Sequence, residues 1–342
     1  MALTLRHFYH QARAKYKLRL LTPSVSLHQK ITWIHLLEDI NNCSFIRGGE
    51  LIITTGLNAN KDHLLFDLAA RIYSSGASGL ILNVGNYIDH VPQDLLEWCS
   101  QHNFPVFTMP WEIHIADVMQ DYCNQIISEE RTQEKRTAAL LRCLTSENDG
   151  SFPTLCPDFT SGYAVASDHE LSIDCYGAVL YETTYYYLCV DIDGFVFDRH
   201  CGVSGLIEDP LHLSIALKQA YRSMQVSKIK HTDVSFFEDI GLYYAALAID
   251  DPDVLYQAER LLAPLEDKDI RLTFRLYLEH DGSVQAAAQA LFLHRNTVNY
   301  RIQKARRLLR ADAAEKGLEY LFAFYLCDCL KLKEMNPLKK EV

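Results

Sequence analysis

The chain has 342 residues, 49% of them hydrophobic and 23% charged, and a formal net charge of −11. These fractions are typical of folded globular proteins and exclude a disordered or fibrous chain, while the length predicts two or three domains. Basic residues such as Arg6, Arg13 and Arg19 interrupt the amino-terminal segment, and no uncharged run approaches a membrane span, so we expect a cytoplasmic protein without a signal peptide.

The ten cysteines are scattered along the chain. They form no Cys-x-x-Cys pair and no Cys/His cluster with the spacing of a zinc site. They are therefore predicted to be buried thiols in a reducing compartment, and we expect neither a metal nor a cofactor.

The first predicted domain, 1–144, alternates strand-like and helical segments. Apolar runs rich in β-formers lie at 51–55, 79–84 and 105–109, and helical patterns lie at 62–74, 92–102 and 113–127. This alternation predicts βαβ units and a mostly parallel sheet covered by helices, that is, an α/β domain.

A segment rich in Pro, Gly and small polar residues at 145–162 is predicted to be a linker. The next piece, 163–266, begins with strand-like segments (177–182, 185–190 and 195–197) and continues with helical ones (210–224, 240–249 and 254–262), which indicates a small α+β domain. Residues 267–335 are predicted to be entirely helical, and 336–342 form a charged tail.

The charge is distributed unevenly along the chain. Residues 283–310 contain six basic residues and no acidic one, whereas the other 314 residues hold 27 basic and 44 acidic groups. An acidic body with one basic segment will present that segment to a polyanion.

The basic segment has the pattern of a helix-turn-helix. Gly282 and Ser283 end one helix and cap the next, in which small apolar residues recur at i, i+3, i+4 and i+7 from Val284. After a short turn at 292–294, a second apolar stripe begins at Val298. Small residues on the first helix allow the second helix to approach closely.

The face opposite Val298 collects polar and basic side chains: Asn296, Thr297, Tyr300, Gln303, Lys304 and Arg307. Asn and Gln can bond adenine edges, and Lys and Arg can reach guanine or phosphate. Flanking this face are Arg295, Asn299, Arg301 and Arg306, where phosphates would lie. The alternative is an ordinary solvated basic face, but the absence of acids and the preceding short helix favour a recognition helix in a major groove.

Four stretches resemble the PucR/CdaR family of bacterial regulators. ALFLHRNTVNYRIQK within 273–309 is similar to the family's carboxy-terminal helix-turn-helix, and IRGGELIITTG at 46–56 resembles its amino-terminal sensor domain. The segments 202–204 and 239–243 resemble the degenerate GGDEF-like domain between them. The resemblance implies a transcription regulator that senses an effector, often a nitrogen-rich or carboxylated nutrient.

The α/β domain contains candidate effector residues. Ligands of open parallel sheets bind at the carboxyl ends of the strands, which selects Thr54, Thr55, Asn83 and Trp111. Arg47 and Glu50 beside a Gly-Gly turn add charges that could bind a polar metabolite. The alternative for each residue is structural: a turn, a strand end or core, and only convergence on one pocket would decide between the two.

An enzyme is the rival class. Asp191 and Asp193 could hold Mg²⁺ as in nucleotide cyclases, but no Gly-Gly-Asp/Glu-Glu-Phe turn and no glycine-rich phosphate loop accompany them. A polar turn with Gly194 explains the pair more simply. We therefore expect no enzyme.

The expected function is sequence-specific regulation of transcription, as an activator of catabolic genes that responds to a small purine- or nitrogen-related metabolite. The expected partners are double-stranded DNA, the effector, a second copy of the chain and RNA polymerase. Helix 113–127 could supply a dimer seam, although its spacing also suits core packing. The alternative is an architectural nucleic-acid-binding protein without operator specificity, in which Tyr300 would stack on a base.

Overall fold

A computed structural model describes residues 4–57, 62–146, 150–309 and 316–335. The predicted tail 336–342 and the basic residue Arg310 lie outside these ranges. The chain forms two compact units, residues 1–135 and 136–342. In the described part of the chain, no helix is both long enough and apolar enough to cross a membrane.

The first unit is an α/β sandwich around one five-stranded sheet. The strand order is β1-β5-β4-β3-β2, with β2 to β5 parallel and β1 antiparallel to β5. Its elements are α1 (Leu5–Lys15), β1 (Arg19–Leu20), β2 (Trp33–Leu36), β3 (Glu50–Thr54), α2 (Asp62–Ser74), β4 (Gly79–Val84), α3 (Gln93–Gln101), β5 (Val106–Pro110) and the first part of α4 (Ile115–Thr145).

Both faces of this sheet are buried. Ile53 and Phe107 pack with Phe8 of α1 and Tyr122 of α4, whereas Ile52 packs on the opposite face with residues of α2 and α3. All five residues of β3 are buried, which is the burial expected of a central parallel strand. The predicted α/β class is therefore confirmed. Helix α1 and the short strands β1 and β2 were not predicted.

Helix α4 is longer than the predicted segment 113–127, and the boundary between the units falls within it. The polar residues that follow the predicted segment include several strong helix formers, and Gln133 Nε2 donates to Glu129 Oε1 at 3.1 Å one turn away. Helix propensity therefore keeps this polar stretch helical although few of its side chains are buried. Upstream, Tyr122 and Ile126 lie in the core of the first unit, so core packing describes this stripe.

The second unit begins with a five-stranded sheet in the order β10-β9-β6-β8-β7 and continues as a group of helices. Its elements are α5 (Phe152–Leu155), β6 (Tyr163–Ser167), β7 (Gly177–Tyr181), β8 (Thr184–Cys189), β9 (Cys201–Val203), α6 (Leu213–Lys230), β10 (Val234–Phe236), α7 (Tyr243–Leu247), α8 (Pro252–Leu262), α9 (Lys268–Glu279), α10 (Val284–Ala290), α11 (Arg295–Leu309) and α12 (Gly317–Met335).

The segment 145–162, predicted as a linker, is partly packed. It contains α5, and Phe152, Cys156 and Phe159 are buried beside the sheet and α6. Pro153 lies in the first turn of α5 and Gly162 directly precedes β6, while the two phenylalanines join the core. Of the segment, residues 147–149 lie outside the described ranges.

The predicted strand 195–197 is wrong. The chain turns at 191–194, where Asp193 N–H donates to the Asp191 carboxylate at 2.9 Å and Gly194 has φ +77°. Phe195 and Phe197 then pack edge to face at 6.2 Å in irregular backbone, and pairing resumes only at β9. Burial of these aromatic rings, and not strand pairing, explains the apolar pattern.

Helix α6 lies directly on the sheet at Gly202. A Cβ on this residue would stand 2.0 Å from the backbone nitrogen of Met224, so only glycine fits. Helices α6 to α9, α11 and α12 share one core, which includes Val226, Tyr243, Phe274 and Phe324. Helix α11 joins this core, while α10 packs on α11 in a smaller cluster of its own.

Candidate functional site

The carboxy-terminal helices form a helix-turn-helix with defined caps. Ser283 Oγ accepts from the N–H of Ala286 at 3.2 Å, as expected for the cap of α10, and Gly282 supplies the positive φ of +78° that the turn before it requires. Between α10 and α11, Phe292 takes the left-handed conformation at φ +53°. These local signals set the boundaries predicted from the sequence.

The apolar stripes of α10 and α11 face each other. Ala287, Ala288, Val298 and Ile302 are all buried in one small cluster, and Ala305 is buried in the neighbouring core. Small alanine side chains bring the two helices close together, which fixes the direction in which the opposite face of α11 points.

All six residues predicted for the DNA-reading face are exposed. Within this set, two side chains are amides and two are cations, and Tyr300 is 66% exposed. Two of the flanking residues, Arg295 and Asn299, are exposed as well. The face therefore offers hydrogen-bonding groups and positive charge to a groove without any acidic side chain in 283–309.

Arg301 and Arg306 are placed differently from the other basic residues of α11. Arg301 Nη2 lies 2.6 Å from Asp269 Oδ2, and Arg306 Nη2 donates to the Tyr277 hydroxyl at 3.0 Å. Asp269 and Tyr277 belong to α9. Both arginines thus tie the recognition helix to α9, a role that the helical spacing alone did not reveal.

Helix α9 is held in turn by a mostly buried network around Arg275. Its guanidinium contacts Asp328 and Glu279 at 2.8 Å each, and it donates to the Tyr243 hydroxyl at 2.7 Å. The Tyr243 ring stacks on Tyr325 at a centroid distance of 3.9 Å. Desolvation raises the pKa of Tyr243 far above its usual range, with the Asp328 charge adding to it, so this hydroxyl stays protonated.

Glu50 and Arg47 lie at the amino end of β3. The buried Glu50 carboxylate accepts from the backbone N–H of Arg47 at 2.7 Å and of Gly48 at 2.8 Å, so it closes the Gly-Gly turn. The Arg47 side chain is exposed. Glu50 is therefore committed to local structure.

Thr54, Thr55 and Asn83 lie at the opposite, carboxyl edge of the sheet. A residue not singled out from the sequence, Glu38, organises this edge: its carboxylate accepts from Thr54 Oγ1 at 3.1 Å and from the N–H of Thr55 at 2.9 Å. Asn83 Nδ2 donates to the carbonyl of Pro110 at 3.0 Å. Because Arg47 and Glu50 belong to the other edge, the six candidate effector residues do not form one pocket.

Trp111 follows β5 and packs against Gly85, where an added Cβ would stand 2.4 Å from the Trp111 Cβ. It also contacts Tyr87 edge to face at 5.6 Å. Both contacts are with the loop after β4. Trp111 therefore joins the loops at the carboxyl edge of the sheet.

A groove of about 430 Å³ lies between the end of α1 and the segment that leads from β5 into α4. Its polar lining consists of Lys15, Tyr16, Glu112, His114, Asp117, Gln120 and Asp121. Lys15 and Tyr16 both contact the Asp121 carboxylate, and these hydrogen bonds, that of Lys15 first, lower the pKa of Asp121. The volume suits a small metabolite, and the carboxylates suit a ligand rich in N–H donors.

Residues 10–126 match the purine catabolism regulatory protein-like family, and residues 271–326 match the PucR C-terminal helix-turn-helix domain. The two ends of the chain are thus similar to PucR-type domains. Together they support a PucR-type transcription regulator that binds DNA through its helix-turn-helix. Regulators of this family with such a DNA-binding domain are not enzymes, in agreement with the expectation from the sequence.

Two relatives come from Bacillus subtilis (strain 168). The purine catabolism regulatory protein is 21% identical over 111 residues, which are 32% of this chain and 21% of that protein. The uncharacterized protein YsfB is 30% identical over 119 residues, 34% of this chain and 32% of that protein. The matched segments thus span a third or less of each relative.

Among solved structures, the regulator of polyketide synthase expression from Bifidobacterium adolescentis is similar to this chain, with 19% identity. The likeness covers 59% of this chain and 92% of that structure, at a TM-score of 0.29.

Proposed function

We propose that the protein is a ligand-responsive regulator that recognises a specific operator through α11. The exposed, acid-free face of this helix carries the proposal, with Asn296 and Gln303 reading bases and Lys304 and Arg307 contacting guanine or phosphate. Thr297 lies on the same face, and Arg295 and Asn299 border it. By contrast, Arg301 and Arg306 hold α11 in place.

Genomic footprinting of the bound protein, followed by competition between the recovered site and mixed-sequence DNA, tests this function. An operator-specific regulator should prefer its site by about 10³ or more. Asn296→Ala should then cost about 1–3 kcal/mol on the operator and relax preference at one base position. Equal loss on both DNAs would contradict base reading by this residue.

The second candidate is an architectural nucleic-acid binder. The exposed ring of Tyr300, 66% accessible in the middle of the polar face, favours it because such a ring can stack on an unpaired base. In the competition experiment this candidate predicts no preference for any duplex. It also predicts tighter binding to single strands, which Tyr300→Ala would abolish.

We also propose that the amino-terminal unit senses the effector, and that the groove beside β5 is where the ligand binds. The groove adjoins the carboxyl edge of the sheet, where ligands of parallel sheets bind, and its carboxylates favour an amine- or imine-bearing nutrient such as a purine. Arg47 lies before the amino end of β3, at the opposite edge of the sheet, and therefore does not belong to this site.

A thermal-shift screen of the full chain with nitrogenous nutrients tests the sensor. A compound that binds the groove should raise the melting temperature of the wild type, and the shift should shrink in Asp117→Asn and persist in Arg47→Ala. A compound whose effect depends on Arg47 and not on Asp117 would place the sensor at the other edge of the sheet. Effector and operator affinities should be coupled by about 1–3 kcal/mol.

The remaining elements of the proposed function concern assembly and output. We propose that the region 163–266 is a degenerate GGDEF-like domain that relays the signal, since α6 and α7 share a core with α9 and the recognition helix α11. We propose a homodimer on paired half-sites and activation through RNA polymerase. Light scattering of the protein bound to its operator, and transcription in vitro, test these two points.

A further inference from the structure

One residue of the turn before α11, His294, accepts three hydrogen bonds from the first turn of that helix. Its Nδ1 accepts a hydrogen bond from the backbone N–H of Asn296 at 3.2 Å. Its carbonyl accepts from the N–H of Thr297 at 3.0 Å and of Val298 at 3.2 Å. His294 is therefore the residue that caps the recognition helix.

The cap determines the protonation pattern of the ring. A nitrogen that accepts a hydrogen bond carries no proton, so the neutral imidazole holds its proton on Nε2. The His294 side chain is exposed, and Nε2 has no hydrogen-bond partner among residues 4–57, 62–146, 150–309 and 316–335. One N–H donor thus points outward at the end of α11 where Arg295, Asn296 and Thr297 are also exposed.

Histidine is an unusual residue for this position. The neighbouring helices α8, α9 and α10 are capped by Asp251, Asp267 and Ser283, which are preferred caps. An aspartate before α11 would place a negative charge against DNA, and a serine would have no second group to extend outward. Histidine combines the acceptor that a cap needs with a donor on the far side of the ring.

We infer that His294 has two roles, to cap and position α11 through Nδ1 and to donate from Nε2–H to a backbone phosphate of the bound DNA. The inference rests on the proposed function in one respect, namely that α11 lies against DNA. It adds a neutral phosphate contact to the cationic ones, and it fixes where the end of the recognition helix meets the backbone.

The variant His294→Asn separates the capping role from the phosphate contact. His294→Asn keeps an acceptor at the position of Nδ1 but has no group at Nε2, so the melting temperature should stay at the wild-type value or rise. Its affinity for a short mixed-sequence duplex should fall roughly three- to tenfold, the effect of one net hydrogen bond. His294→Ala should lose this affinity and also melt at a lower temperature.

Salt dependence distinguishes this contact from a cationic one. Because a neutral donor displaces no counterion, the slope of log K against log salt between about 50 and 200 mM should be unchanged in His294→Asn. In the control Arg307→Ala, the slope should fall by about 1. Nitrogen NMR of the ring in the free protein should show the proton on Nε2.

Wild-type affinity in His294→Asn, or a proton on Nδ1, would overturn the inference. If His294→Asn melts as low as His294→Ala, the capping role is wrong. Failure of the proposed function looks different: the wild type itself would not bind the duplex, or Arg307→Ala would bind as tightly as the wild type.

Discussion

The two arginines at 306 and 307 are neighbours in the chain, and the structure gives them different roles. Arg306 lies against α9, where Nη2 donates to the Tyr277 hydroxyl at 3.0 Å and the guanidinium stands 5.6 Å from the ring centroid. Arg307 is exposed on the DNA-reading face. We expect Arg306→Ala to reduce stability and Arg307→Ala to reduce DNA binding.

The magnitude for Arg306 follows from its contacts. The hydrogen bond contributes about 1 kcal/mol net and the cation–π contact about 0.5 kcal/mol. Nε of Arg306 is buried without a partner among the described residues, so its removal relieves part of a desolvation cost. The net loss in Arg306→Ala should be about 1 kcal/mol, which lowers the melting temperature of a unit of roughly 200 residues by about 2–4 °C.

Thermal melts and salt-dependent DNA titrations of both variants provide the assay. Arg307→Ala should melt like the wild type and lower the salt slope by about 1, and Arg306→Ala should do the reverse, with an unchanged slope. A fall of the slope in Arg306→Ala at an unchanged melting temperature would refute the reasoning. In that case Arg306 would leave Tyr277 to contact phosphate.

Three further changes test the packing of the second unit. Ser283→Ala should lower the free energy of unfolding by about 1 kcal/mol in chemical denaturation, whereas Ser283→Thr should keep the cap. Equal losses of stability in the two variants would contradict the capping role of the Ser283 hydroxyl. The hydrogen bond to Asp168 raises the pKa of His169, although burial acts to lower it. Protonated His169 therefore stabilises the fold at pH values below its unfolded pKa, and this stabilisation is lost as the pH rises through the folded pKa. His169→Gln should therefore destabilise more at pH ~5.5 than at pH ~8.5, and a loss independent of pH would exclude this charge effect. Arg275→Met should cost about 2–3 kcal/mol of stability in denaturant titrations because it leaves Asp328 buried without its cation. Adding Asp328→Asn should recover part of this loss, and purely additive losses would show that the two residues do not interact.

The buried character of the cysteines could be predicted from the sequence alone. All ten are free thiols, seven of them buried and three partly buried. Burial raises the pKa of Cys189 to about 12, which leaves it unreactive as a thiolate. The inference needed only the absence of metal and disulfide spacings, because a thiol without such partners behaves as a small apolar side chain.

The local pattern of the sequence determined the secondary structure of the helix-turn-helix and of the parallel sheet. The cap at Ser283, the stripe from Val298 and the continuous apolar strands depend on residues within one or two turns of each other. Such local signals predict the same secondary structure whatever the rest of the fold. The exposed face opposite Val298 follows from the same period, so it could be predicted as well.

Only the tertiary structure decided which flanking residues are available to a ligand. Arg306 differs from Arg307 because Tyr277 of α9 lies beside it. Glu50 lies far from Asn83 because the two residues stand at opposite ends of the paired parallel strands β3 and β4. The positions of these partners are set by packing over many residues. A charged side chain binds the partner that the fold brings nearest, and its spacing in the sequence does not specify that partner.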